Sequence, residues 1–198
     1  MSAICEHEST TFDLIREAAC TLFCQSGYKG MGMRRLAAAV GIQVGSLYNH
    51  IESKQALLYE LISEYEMHLL HVFKSKNLNH CKTAVQMNSL LWDRVSSYVA
   101  HNGHLAQLSR NEIQHLSPVQ AESINGIRFH RKRQLQVLLN QCAGDVGLSS
   151  EGLEMLSEEL HILLDCHIGL DANVIEDPNG IVRRQLRNMA SMLLVRRD

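Results

Sequence analysis

Residues 33–54 read MRRLAAAVGIQVGSLYNHIESK, and this stretch decides the fold. Met33–Val40 is short, rich in alanine and leucine, and carries Arg34 and Arg35 in its first turn; residues of this kind favour a helix. Gly41 stands where a helix ends on a residue at positive φ, a conformation that glycine adopts without steric cost. Ile42 and Gln43 turn the chain, and Val44–His50 predicts a second short helix. Two helices joined by a short, glycine-containing turn make a helix-turn-helix, the unit that lays its second helix in the major groove of DNA. Arg34, Arg35, Gln43, Val44, Gly45, Ser46, Tyr48, Asn49 and His50 are its candidate DNA-binding residues, most of them charged, small or able to hydrogen-bond to base edges and phosphates. Leu47 and Ile51, four apart, anchor the inner face, and Lys54 lies within reach of a phosphate. The competing reading, a helical hairpin inside a core, calls for more apolar residues than this unit has.

Composition frames that reading. A chain of 198 residues suits one or two domains with a sizeable core. Its 45% apolar and 20% charged residues are those of a globular protein. Two prolines and 5% aromatics, beside abundant Leu, Ala, Met and Gln, favour an all-α chain. The formal net charge of −2 gives no global basic field, so attraction to nucleic acid has to be local. From Phe12 to Lys54 five basic residues face three acidic ones, a net of +2. Cys5, Cys20, Cys24, Cys81, Cys142 and Cys166 form no CxxC pair and no zinc-like spacing. Cys20 and Cys24 share a helix face, where small core fillers are the ordinary case and a redox or metal switch the rarer one. With no signal-like start and no apolar run near the ~20 residues that span a bilayer, the expectation is a cytoplasmic protein with no membrane contact.

Upstream, Ser9 or Thr10 caps a helix running to about Ser26, with Ile15, Ala18, Ala19, Leu22 and Phe23 as its apolar stripe. Gly27 stops this helix, and Tyr28 is expected to pack back on the same small domain. With these residues placed, Ile15–Phe23, Gly27–Tyr28, Arg34–Ala37, Gly41–Ile42, Gly45–Tyr48 and Ser53–Lys54 resemble the amino-terminal domain of the TetR (tetracycline-repressor) family, over roughly Phe12–Ile62. The resemblance implies a one-component transcriptional regulator, usually a repressor, that acts as a homodimer and is not an enzyme. It places Tyr48 and Lys54 on phosphates and Arg34 on base or backbone. It sets Gly45 and Ser46 where the recognition helix meets bases, with Asn49 and His50 close by. Three positions depart from the family pattern. Gly32 stands where Thr or Ser usually caps the second helix, Gln43 where Ser commonly caps the third, and Ile51 where an aromatic residue is usual. Gln is a poor N-cap.

The expected architecture is a three-helix DNA-binding domain over residues 1–53 and a helical ligand-binding and dimerisation domain over 54–198, about nine helices in all. Ser53 caps a connecting helix over 54–76, whose face is Leu57, Leu58, Leu61, Ile62, Tyr65, Leu69 and Val72. Its tilt sets the separation of two recognition helices, which have to meet half-sites about 34–36 Å apart or a multiple of that. Further helices are expected over about 83–101, 105–115, 118–141, 151–170 and 179–195, with Asn102–Gly103 as a stop and Pro118 in a first turn. The resemblance, in which the last two helices pair into a four-helix bundle, implies dimerisation through Leu156, Leu160, Leu163, His167, Leu186, Met189 and Leu193.

For an effector, Met87, Leu91, Trp92, Tyr98, Ile113, Ile124 and Ile127 are expected to line an apolar pocket between helices. Arg110, Arg128, Arg131 and Lys132 lie in a segment similar to a branch of the family that senses acyl-CoA thioesters, where arginines at a pocket mouth meet phosphates or a carboxylate. The alternative for that basic run is a solvated helix face. His68 with His71, and His161 with Asp165, are spaced to share a metal but lack further ligands, so no metal or cofactor is expected. Nothing resembles a nucleophile with its base or a phosphate-cradling glycine loop. The expected function is a ligand-responsive repressor that binds a palindromic operator as a dimer and is released by a small apolar or acyl-type effector. The alternative is a small helical-bundle enzyme or a metal-sensing protein.

Overall fold

In the computed structural model, the residues described are 10–75, 78, 80–81, 84–141, 154–155, 157–158 and 161–162. Among them the elements are α1 (Thr11–Gly30), α2 (Met33–Val40), α3 (Val44–Leu47), α4 (Lys54–Phe73), α5 (Ala84–His101), α6 (Gly103–Asn111), a 3₁₀ turn (Ile113–His115) and α7 (Pro118–Gln141). No strand occurs among the described residues.

Local chemistry sets most of these boundaries. Thr10 and Asp13 form a reciprocal capping box, which satisfies two of the donors left open at the start of α1. Ser53 Oγ accepts from the Ala56 N–H at 3.0 Å and opens α4. Ser117 and Gln120 make the corresponding exchange at α7, with Pro118 in its first turn. At the end of α2, Gly41 sits at φ 79, and the Ile42 N–H reaches back to the Ala37 carbonyl at 3.0 Å. This Schellman closure depends on a left-handed residue. Gly27, at φ 67, breaks α1 before its last turn. The break turns the Tyr28 N–H away from the helix ladder and toward Glu112 Oε2, 3.1 Å away.

Two stretches differ from the sequence reading. The third helix ends at Leu47 rather than His50, because the N–H groups of Asn49 and His50 bond three residues back, to Ser46 and Leu47. Neither end of this helix has a side-chain cap, and Asn and His are weak helix formers. Gly103 begins α6 instead of closing the preceding helix, and Asn102 alone makes the turn.

Helix α4 is the central element. It packs on α7, α6, α5 and α1. One apolar cluster joins Ile15, Phe23, Leu36, Leu47 and Ile51 of the first three helices and their flank to Leu57, Leu58, Leu61 and Ile62 of α4, and to Leu108, Leu116 and Ile124 beyond. The head therefore shares its core with the helices behind it. A second cluster gathers Tyr65, Leu69 and Phe73 of α4 with Met87, Leu91, Trp92, Val95, Val99, Leu135, Leu138 and Leu139. No helix among the described residues is long and apolar enough to cross a membrane.

Candidate nucleic-acid interface

The first three helices place two kinds of side chain. Leu47 is fully buried and Ile51 nearly so, which fixes α3 and its exit turn to the core. Val44 is partly buried against the same cluster. Around them Arg34, Gln43, Gly45, Ser46, Tyr48, Asn49 and His50 all lie exposed. Tyr48, at 53% exposure, is unusually open for an aromatic residue. Arg34 and the side chains of Gln43, Ser46, Tyr48, Asn49 and His50 make no hydrogen bond or ion pair with other described residues. The face is a rim of donors and acceptors open to solvent on a base anchored by Leu47 and Ile51.

Gly45 belongs to this face. Its φ is not positive, and a Cβ built on it meets nothing within 4 Å. The fold itself therefore has no use for glycine there, and glycine weakens a helix relative to alanine. Close approach by another molecule is what a missing side chain at such a place serves.

Two cations expected at DNA are engaged inside the protein. Lys54 Nζ donates to the Met31 carbonyl at 2.8 Å and lies 4.3 Å from the centre of the Tyr28 ring. It ties the start of α4 to the loop between α1 and α2, so any phosphate competes with this internal bond. Arg35 donates to Ser26 Oγ at 2.7 Å and to Gln25 Oε1 at 3.3 Å, fastening α2 to α1. Tyr28 does not pack within the head alone. Its ring stacks on His115 with centroids 4.8 Å apart, so it bridges the head and the 3₁₀ turn.

The residues expected to bind an effector do not converge. Met87, Leu91, Trp92 and Tyr98 belong to the second cluster, whereas Ile113, Ile124 and Ile127 belong to the first. Arg110 is exposed and bonds to neighbouring Asn111. Arg128 and Arg131 form neither a pocket mouth nor a solvated face. Both bind Glu66, which is buried in α4. Arg131 donates to Glu66 Oε2 at 2.6 Å, and Arg128 Nε to Oε1 at 2.8 Å. Ser109 Oγ donates to Oε1 at 2.5 Å, and Arg128 Nη2 donates to the Ser109 carbonyl at 2.8 Å. Burial alone would raise the Glu66 pKa. The guanidiniums of Arg131 and Arg128, with the Ser109 hydroxyl, outweigh it and hold the carboxyl below the usual carboxylate range. Tyr98 lies beside this cluster and donates to the Tyr65 carbonyl at 3.2 Å. Burial, and then the Glu66 charge, push its hydroxyl up to about 12. Lys132 pairs with Glu158.

Glu66 and Ser109 escaped the sequence reading. The signal for Glu66 was present, since it shares a helix face with Ile62, Leu69, Leu70 and Phe73, where a charge needs a partner. The cavity found is elsewhere. It is an open groove of about 660 Å³ between α1, α4 and the α5–α6 turn, lined by polar Arg16, Glu17, Glu64 and His101 beside Cys20 and Leu61. His68 and His71 are exposed, and no group of three metal-ligating side chains occurs among the described residues. All seven residues expected at a dimer contact, and Asp165, lie outside the described residues.

These features define a helix-turn-helix head on an all-helical body. Residues 15–61 match the family model for bacterial regulatory proteins of the tetR family. The match is to the amino-terminal domain of that family and covers about a quarter of the chain. HTH-type transcriptional regulators of Staphylococcus aureus are 32% identical to it over 77 residues, which are 38% of this chain and 42% of theirs. The chain thus spans less than half the length of these curated relatives. Among solved structures, a tetR-family regulatory protein from Rhodococcus RHA1 superposes with a TM-score of 0.74 at 21% identity, covering 93% of this chain and 97% of that one. AibR, solved in complex with isovaleryl coenzyme A and operator DNA, gives 0.68 at 19% identity, covering 93% and 98%. At such identities the likeness is one of fold.

Proposed function

We propose that this chain is a ligand-responsive transcriptional regulator, a repressor that reads a palindromic operator as a homodimer. The observation that carries the reading is the exposed rim of Arg34, Gln43, Ser46, Tyr48, Asn49 and His50, unpartnered among the described residues and built around Gly45 on a base fixed by Leu47. Within it Ser46, Asn49 and His50 meet base edges, whereas Tyr48 and Arg34 hold the sugar–phosphate backbone; contacts of the second kind set register and those of the first set sequence. Lys54 joins the backbone contacts by exchanging its bond to the Met31 carbonyl for a phosphate. The effector is a small acyl thioester or a similar apolar anion, as the likeness to AibR suggests. It acts by preferring one arrangement of α4, because only differential affinity moves a conformational equilibrium.

Selection of the purified protein from random duplex DNA at a fixed salt concentration tests the reading. Enrichment of a palindrome with half-sites about one helical turn apart is expected, followed by loss of that binding on titration with acyl-CoA thioesters. A flat selection, repeated in the presence of cell extract, would sink it and favour a helical enzyme.

A further inference from the structure

The seam between head and body holds a pair of thiols. Cys20 and Cys24 lie one turn apart on α1, facing α6. Cys20 is buried at the wall of the 660 Å³ groove. Cys24 is half-buried, and its Sγ donates to the backbone carbonyl of His104 in α6 at 3.3 Å. The Cys24–His104 bond joins α1 to α6 and depends on a thiol proton.

Helical neighbours four apart hold their Cβ atoms about 5–6 Å from each other, whereas a disulfide needs about 3.5–4.5 Å. An intrahelical disulfide would unwind α1. An ion held by both sulfurs asks for no direct sulfur–sulfur bond. Zinc completes its shell with four ligands in structural sites, and no third ligand joins this pair among the described residues. A donor set of two thiolates suits a soft ion that accepts two.

We propose that Cys20 and Cys24 form a two-sulfur site for a soft, thiophilic cation of the copper(I) type, and that its occupation releases the head from α6. The step is an exchange without oxidation: M⁺ + 2 RSH → [M(SR)₂]⁻ + 2 H⁺. The two metal–sulfur bonds replace two S–H bonds, and both protons leave through the groove. Once Cys24 has lost its proton it has nothing to donate to His104, and the seam loses that hydrogen bond.

The test uses the full chain with copper(I) held by a chromophoric chelator under anaerobic conditions. One ion per protomer is expected, and it should persist when Cys5, Cys81, Cys142 and Cys166 are all changed to Ser. Cys20→Ala or Cys24→Ala should abolish it. Should either variant fold poorly, alkylation of the native chain gives the same answer: the ion should slow labelling of the peptide that carries both cysteines by at least about tenfold. Absence of a stoichiometric ion in the variant keeping only these two cysteines, or unslowed labelling, would overturn the site. These readouts need no DNA, so they stand or fall apart from the regulator reading. On an operator recovered by selection, the bound ion should weaken affinity about three- to tenfold, the weight of one net hydrogen bond. Unchanged affinity with the ion bound would overturn the coupling.

Discussion

The two halves of α4 are held in opposite ways. Its first half, Leu57, Leu58, Leu61 and Ile62, meets the reading head through apolar contacts. One turn on, Glu66 is 2% exposed and carries a full charge that Arg131, Arg128 and Ser109 neutralise. Apolar packing is non-directional and forgiving of small shifts. A buried ion pair is satisfied at one geometry only and is costly when a partner is missing. Apart from the Lys54–Met31 bond and the Arg16–Glu64 ion pair, the first half is thus attached to the head by area, whereas the second adds to its apolar cluster a charge held by position. Glu66 thus fixes the register of α4 against α6 and α7, which the apolar contacts near Leu58 do not do by themselves.

Breaking the polar half should have the largest effect. Glu66→Gln leaves two guanidiniums against an uncharged amide and should cost about 3–5 kcal/mol of stability, read by urea unfolding of the full chain. Replacing Glu66, Arg128 and Arg131 together by Leu, Met and Leu should restore most of that loss. A triple variant as weak as Glu66→Gln would mean that the charges themselves, and not only their pairing, hold α4.

The same contrast has a pH signature. The Glu66 pKa is depressed in the fold, so its contribution is complete above the unfolded value of about 4.3 and is lost as pH falls through the lower folded value. The native chain's margin over Glu66→Gln should be level near neutrality and shrink below about pH 4. A margin that holds constant to pH 2 would contradict this assignment.

In the apolar half, Leu47→Ala opens a cavity beneath the recognition helix and should cost about 2–5 kcal/mol, with operator binding lost as well. Its penalty should not vary with pH between 3 and 7, unlike that of Glu66. The smallest effect separates stability from function outright. Gly45→Ala should stabilise the chain by up to about 1 kcal/mol, because the added methyl meets open space. It should nonetheless weaken DNA binding, measured by titration of a selected duplex. Unaltered DNA affinity would remove Gly45 from the interface.

What was legible in the sequence follows from the range of the interactions involved. Met33–Val40, the Gly41 stop, the Ser53 cap and the Pro118 start were all read correctly, since each is fixed by residues within a turn or two. The exposure of Gln43, Ser46, Tyr48, Asn49 and His50 around Gly45 agrees with the same local pattern. Where local signals were weak, as at the uncapped α3, the end was placed three residues too far. The basic run near Arg128 was misread for a different reason. Its partner lies 62 and 65 residues away in α4, and no periodicity within α7 announces it.

By itself, then, the sequence determined an all-helical chain and its helix-turn-helix, because caps, glycine turns and apolar stripes act over a few residues. Only the tertiary structure decided that Lys54 and Arg35 fasten the head to itself, that Tyr28 bridges to His115, and that Glu66 claims the arginines an effector was expected to meet. A charge finds its partner through space, and that choice is made only when distant helices pack.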